Sequence, residues 1–363
     1  MSISPFMTSD QSRRRRELAR RRRRRRRAIG AGLLVLAIAV IAIAVVVLAK
    51  PSGHGSGATP VATARRSRPK APPAPKLSAS GLPLGKPPLV LKGLGQPADD
   101  AVKIAFRHPP RAGLLFNVAT GQVLWQHDPD TRLRIASITK MMTALLTVQT
   151  QPSGARVLVT KAAVEAAGSK VGVLPLGKHV QLETMLYGLL LPSGNDAAIA
   201  LAQHDAGSIK RFVEQMNAEA AKLGMSCTRY SSPSGYVDAG NFSCAADLAV
   251  LAHVDLEQPR LAKIVRTYSA SLPLPIKGGK VYLYNNNPLL IYHYPGTTGL
   301  KTGFTDAAGR CLVATAERDG VRLGAIVLNS RDPGTQARQL LNRGFEDVYH
   351  QAPVPEQPMP AGA

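Results

Sequence analysis

The sequence predicts an α+β domain, an antiparallel sheet flanked by helices, preceded by one transmembrane helix. Three observations carry this reading. Strand-like apolar runs lie at both ends of residues 100–350, with helical periodicities between them. Residues 28–49 form one long apolar run without a charge. Pro- and Gly-rich segments at 50–99 and 351–363 bracket the domain and cannot build a core of their own.

The N-terminus sets the address. Residues 13–16 and 20–27 are all arginine, opposed only by Asp10 and Glu17. The run that follows, AIGAGLLVLAIAVIAIAVVVLA, has no charged or hydrogen-bonding side chain. As a helix it would be about 33 Å long, enough to cross a hydrocarbon core. The positive-inside rule leaves residues 1–27 in the cytoplasm and places residues 50–363 outside, in an extracellular or periplasmic space. Val47-Leu48-Ala49 also fits a cleavage site. The apolar run exceeds a signal core of about 7–15 residues, which favours a retained anchor.

The net charge of +23 suggests a nucleic-acid binder, but its distribution argues against one. Residues 1–100 carry 20 basic and 4 acidic side chains; the remainder carries 26 and 19. Most of the excess therefore lies outside the domain. The arginine run reads as a topogenic signal, compatible with contact to anionic headgroups, and no nucleic-acid partner is expected. An apolar fraction of 45% excludes a wholly disordered chain, and three cysteines exclude a disulfide scaffold. No Cys/His spacing resembles a metal site, and no metal is expected. Residues 50–99, with ten Pro, seven Gly and no Phe, Trp or Tyr, read as a tether.

Within residues 100–350, AGLLFNV (112–118) and QVLWQ (122–126) read as a hairpin around Ala119-Thr120-Gly121. SITKMMTALLTVQT (137–150) reads as a helix capped by its serine. Helices are expected at 182–191 and 196–204, broken at Pro192-Ser193-Gly194, and at 208–223, 245–253 and 259–265. RCLVATAE (310–317) and VRLGAIVLN (321–329) alternate like antiparallel strands around an Asp-Gly turn. A helix at 335–349 closes the domain, and the first hairpin is expected to join the late strands in one sheet.

Three motifs carry chemistry. Ser137 and Lys140 lie three apart, so a helix puts them on one face. A serine hydroxyl needs a base, and a desolvated lysine amine can be one. Alone the signal is weak: average composition gives about one S-x-x-K in a chain this long. Ser193-Gly194-Asn195 sits in a break between apolar helices, where a hydroxyl and an amide can face a cleft; turn and cap roles are the bland alternative. Lys301-Thr302-Gly303, followed by Phe304, places a cation and a hydroxyl at a sheet edge, with a glycine that admits a ligand backbone. A surface turn is the alternative there.

In this order, S-x-x-K, S-x-N and K-T-G are the motif set of serine β-lactamases and penicillin-binding proteins. The words IASITKMMTALL, LLLPSGNDAAIALA, SSPSGYVDAGNFSCAADLAVLA and GTTGLKTGFTDAAGRCLVATAERDG resemble the low-molecular-weight D-alanyl-D-alanine carboxypeptidases, the S11 serine peptidases. The resemblance covers about residues 100–350. It implies the β-lactamase/DD-peptidase-like fold, with a helical subdomain beside the sheet, and the removal of the terminal D-Ala from peptidoglycan stem peptides. Ser137 would be the nucleophile, Lys140 the general base and Ser193 the proton relay. Asn195 would hold the substrate amide, and Lys301 and Thr302 its carboxylate, beside Gly303. Backbone N–H groups of Ser137 and Phe304 would form the oxyanion hole. β-Lactams would acylate Ser137, and no cofactor is implied.

Departures are visible. Ile135 stands where the family often has Pro. Many members carry a β-rich second domain and a C-terminal anchor; here the chain ends at Ala363, so neither is expected and the N-terminal span takes the anchoring role. Cys227 and Cys244 would lie outside the membrane, where a disulfide is expected, with two buried thiols as the alternative. A β-lactamase and a catalytically weak penicillin-binding scaffold remain the competing functions.

Overall fold

The computed structural model describes residues 76–237 and 239–354, all within one compact unit, Pro72–Ala363. The arginine tail, the run at 28–49, residues 50–75 of the expected tether and residues 355–363 lie outside the described residues.

The first strands are β1 (Ala112–Asn117) and β2 (Val123–His127), paired antiparallel as a hairpin. Asn117 shapes its turn, with Oδ1 accepting from the backbone N–H of Ala119 and Thr120. Helix α1 (Lys140–Thr150) follows, then the short pair β3 (Arg156–Leu158) and β4 (His179–Gln181). Helices α2 (Leu182–Leu190), α3 (Asn195–Ala206), α4 (Ile209–Lys222), α5 (Ala245–Leu256) and α6 (Pro259–Val265) form the helical part. A second small hairpin, β5 (Ser269–Pro273) and β6 (Lys280–Tyr284), leads to β7 (Thr297–Thr305), β8 (Gly309–Arg318) and β9 (Val321–Ser330). Helix α7 (Pro333–Arg343) ends the described fold, and a π-helical turn, Gly344–Val348, extends it.

The main sheet has the order β2-β1-β9-β8-β7, antiparallel throughout. The first hairpin thus joins the late strands, as expected. The β8–β9 turn carries Asp319 and Gly320 at φ +47° and +75°, the pair of left-handed residues that a type I′ turn needs. Every residue of β1 is buried, because apolar layers cover both sheet faces. One face shares a core with α1, α2, α3 and α5, through Leu114, Phe116, Met141, Leu145, Leu186 and Leu248. The other packs on α7, through Leu115, Leu312, Val327, Leu340 and Phe345.

The structure corrects three expectations. Residues 76–99 belong to the folded body and not to a free tether: Leu89 is buried, Gly85 N–H bonds Ala221 O at 2.8 Å, and Lys92 exchanges backbone bonds with Gly121 and Val123. Sparse polar and apolar anchors suffice there, which Pro and Gly content hides. The helix expected from Ser137 starts at Lys140, after a 3-10 turn at Ala136–Thr139. The closing helix starts earlier, at Pro333, because Asp332 caps it through Thr335 N–H at 3.1 Å and proline suits the first helical position.

Cys227 and Cys244 form a disulfide with Cα atoms 5.7 Å apart, and Cys311 is buried in β8. The bridge closes the 227–244 segment, which is tied to α1 and to the 3-10 turn before it: Thr143 Oγ1 donates to Pro233 O at 2.7 Å and Asn241 Nδ2 to Thr139 Oγ1 at 2.6 Å. Replacing both cysteines by alanine is expected to lower the unfolding free energy by about 3 kcal/mol, the loop-entropy value for a closure of this length. Urea unfolding of the folded domain measures it; an unchanged midpoint would show that the bridge adds no stability.

Candidate active site

Ser137 lies on the 3-10 turn that feeds α1, half-buried, with Ala136 before it at φ +46°. In a 3-10 turn, side chains at i and i+3 eclipse. Lys140 is therefore stacked on Ser137, and the serine hydroxyl meets the amine where a helix cap was expected. Lys140 is fully buried, and its Nζ has three partners: Ser137 Oγ at 2.7 Å, Asn195 Oδ1 at 2.7 Å and Ser234 O at 2.9 Å.

Ser193-Gly194-Asn195 lies in the break between α2 and α3, as expected. Ser193 is buried at φ +67°, and its Oγ has no hydrogen-bond partner among the described residues. Asn195, expected to hold the substrate amide, lines the cleft at the start of α3. Its Oδ1 holds Lys140, and its Nδ2 donates to Ala167 O at 2.6 Å. The amide is engaged inside the protein, and it positions the lysine.

Lys301-Thr302-Gly303 runs along β7, the edge strand of the main sheet, where the sequence pointed to a sheet edge or a turn. Lys301 is buried and donates to Thr302 O at 2.9 Å. A Cβ on Gly303 would stand 2.7 Å from Ile135 O and 3.2 Å from Ile138 N. Only glycine lets the edge strand close on the turn that carries Ser137. Phe304 is 61% exposed beside it.

The cleft has two lobes that meet at Ser137, Ser169 and Phe304. One lobe is lined by Ser193, Thr302, Gly303 and Arg310, the other by Gly168, Asn195, Tyr236 and Asp306. All three motifs therefore converge on one cavity. A family profile described as D-alanyl-D-alanine carboxypeptidase matches residues 103–332. The chain belongs to this family.

Among curated relatives of this carboxypeptidase family, the chain is 33% identical over 246 residues to D-alanyl-D-alanine carboxypeptidase DacF of Bacillus subtilis, covering 66% of this chain and 62% of the relative. It is 36% identical over 217 residues to DacB2 of Mycobacterium tuberculosis, covering 59% and 73%. The chain thus spans about three fifths of the length of relatives such as DacF. Among solved structures, the Streptomyces K15 DD-transpeptidase superposes with a TM-score of 0.62 at 31% identity, covering 67% of this chain and 99% of that one.

The carboxypeptidase-family cleft also uses groups that sequence reasoning passed over. Asp196 accepts from the backbone N–H of Val171 at 2.9 Å and Gly172 at 3.0 Å, and so ties the 168–172 loop to α3. Its place in the first helical turn after S-x-N was the available signal. The Ser234 carbonyl, a backbone group, leaves no signal in side-chain identity.

Electrostatics prepare the two lysines differently. Burial holds the Lys140 amine well below the ordinary lysine range, repulsion from Lys301 adds to this, and Asp196 opposes it. Burial alone pulls Lys301 down to about 7. The unfolded chain would bind a proton at Lys301 up to about pH 10.4. Between about 7 and 10 the unfolded state therefore holds more protons, and stability rises with pH. Lys301→Met is expected to raise the unfolding free energy at pH 7 by about 1–3 kcal/mol, with the gain shrinking toward pH 10. Denaturation at both pH values checks this; a gain that does not shrink would deny a lysine burial cost.

Proposed function

We propose that the protein is a serine-type D-Ala-D-Ala carboxypeptidase, which removes the terminal D-Ala of peptidoglycan stem peptides through an acyl-enzyme on Ser137. One observation carries this reading. Two of the three partners of Lys140 Nζ, Asn195 Oδ1 and Ser234 O, can only accept. A neutral amine has two N–H groups for them and one lone pair left, which faces the Ser137 hydroxyl at 2.7 Å. That is the arrangement of a general base on a nucleophile.

Ser137 Oγ attacks the penultimate carbonyl as Lys140 takes its proton. Backbone N–H groups of Ser137 and Phe304 hold the developing oxyanion. Ser193, whose buried hydroxyl has no other partner in the described protein, passes a proton to the leaving D-Ala amine. Thr302, with Lys301 behind it, receives the terminal carboxylate. The unpaired edge of β7 offers backbone groups to an extended peptide. Water then releases the acyl group. β-Lactams acylate the same serine. Residues 28–49 anchor the enzyme in the cell membrane, with the domain on the outer side where peptidoglycan lies; the apolar run behind twelve arginines supports this.

The full chain is expected to take a fluorescent penicillin covalently, and Ser137→Ala to take none. Equal labelling of both would overturn the mechanism, and rapid penicillin turnover would reassign the protein as a β-lactamase. Release of D-Ala from a diacyl-D-Ala-D-Ala peptide is the activity test. Because catalysis needs a neutral Lys140, kcat/KM should rise with pH and level off well below the ordinary lysine value of about 10.4. A rise that continues past pH 10 would mean that another group is the base.

A further inference from the structure

The hairpin of β5 and β6 lies outside the three motifs, and its outer face is unlike the rest of the surface. Exposure alternates along β6 and past its end: Lys280, Tyr282, Tyr284 and Asn286 are exposed, while Val281 and Leu283 join the main core. Tyr282 is 68% and Tyr284 59% exposed. Among the described residues, the other exposed Tyr and Phe rings are Tyr268, just before β5, and Tyr236 and Phe304 at the cleft. Grouped apolar rings left in water mark a surface kept for a partner.

The cross-strand partners explain why the rings stay bare. Ser269 stands opposite Tyr284, and Ser271 opposite Tyr282. A serine about 5 Å away is too small to cover a ring, and it adds a hydroxyl beside it. The mount is rigid. Thr184 of α2 donates to Pro273 O at 3.0 Å, and Asn285 Nδ2 donates to Val265 O at 3.2 Å and Thr267 O at 3.0 Å. The row also runs toward the cleft: Asn286 lines the lobe that holds Ser193 and Thr302. At about 3.4 Å per residue, the track from Lys280 to Asn286 is about 20 Å long.

Shape and charge select the occupant. A face two strands wide and five residues long covers about 160 Å², against about 800 Å² per partner in a stable protein interface. The row and its cross-strand partners carry one charge, Lys280, at the end away from the cleft, with Lys277 on the turn beyond, and no carboxylate. A narrow strip of aromatic faces and hydroxyls with little charge fits a linear saccharide. Its sugar rings offer apolar C–H faces to stack and hydroxyls to bond, the two properties that a tyrosine matches.

We propose that the outer face of the β5–β6 hairpin binds the glycan backbone of peptidoglycan, by stacking sugar rings on Tyr282 and Tyr284 beside the cleft. The choice of polymer rests on the proposed carboxypeptidase reading. A strand held there keeps the stem peptides of the wall at high effective concentration around Ser137. A soluble peptide gains nothing from it.

The test uses the full chain, a double Tyr282→Ala/Tyr284→Ala variant, a double Tyr282→Phe/Tyr284→Phe variant, and Lys280→Ala. The probes are peptidoglycan sacculi stripped of anionic polymers, and the N-acetylglucosamine tetramer. The double alanine variant should bind both about tenfold more weakly than wild type, and the double phenylalanine variant should keep most of the affinity, because it keeps the ring faces. Lys280→Ala, and separately about 0.5 M salt, should leave binding intact. In D-Ala release from sacculi, the alanine changes should raise KM about tenfold at unchanged kcat, while kcat/KM on a soluble diacyl-D-Ala-D-Ala peptide stays within about twofold. Equal binding by wild type and the double alanine variant would overturn the proposal. Binding abolished by salt or by Lys280→Ala would overturn it in favour of an anionic polymer. A wild-type dimer that the alanine changes dissolve would overturn it in favour of a second copy of the chain. Penicillin labelling separates this from the wider reading: tyrosine-dependent binding without labelling would refute the carboxypeptidase and leave the glycan site standing, and labelling without tyrosine-dependent binding would refute the glycan site alone.

Discussion

The lysine amine at position 140 is fully buried, with Ser137 Oγ, Asn195 Oδ1 and the Ser234 carbonyl as its partners. A charged ammonium there loses its hydration, and three neutral dipoles replace it incompletely. The neutral form is matched better, because two acceptors and one hydroxyl fit two N–H groups and one lone pair. The burial that depresses the basicity of Lys140 also fixes the direction of its lone pair. Most of the domain can be understood as the means of keeping that pocket dry and its three partners in place.

Each partner arrives from a different element, and each is held by its own tie. Asn195 starts α3, and its other amide end is fixed on Ala167 O. Ser234 belongs to the segment closed by the Cys227–Cys244 bridge and pinned to α1 through Thr143 and Thr139. Ser137 rides a turn entered through a left-handed Ala136, and Ser193 occupies a second left-handed position across the cleft. Non-glycine residues in this region cost of order 1 kcal/mol or more each, and they persist only where surrounding packing overdetermines them. Here the packing is the helical core on one side and the edge of β7, brought close by Gly303, on the other.

Much of this was legible in the sequence, and the exceptions have physical reasons. The hairpin at β1–β2, the strands β8 and β9, and the helices around the Ser193 break follow from apolar periodicity and turn residues, which are local properties. The three motifs converge in one cleft as their order implied. The small pairs β3–β4 and β5–β6 were not legible, because short strands with mixed exposure carry little periodicity. β7 was visible only as an edge, since its glycines interrupt the apolar pattern. Ser137 looked like a helix cap because a serine at a helix start is most often one; the 3-10 turn instead sets its hydroxyl against Lys140. The bond from Lys140 Nζ to Asn195 Oδ1 was not legible either, because a sequence does not show which acceptors a buried lysine will claim.

The two buried lysines are also set apart from each other by their surroundings. Lys140, the general base under the proposed reading, must be neutral in that role, and it is buried among acceptors. Lys301 sits behind β7, where burial leaves it near 7 and able to change its charge. The pleat of the main sheet separates the two polar side chains of the third motif: Lys301 and Thr302 are consecutive, so they face opposite sides. A one-residue slip of β7 would exchange the faces that Lys301 and Thr302 present, so the register of its pairing with β8 is itself a condition on the site.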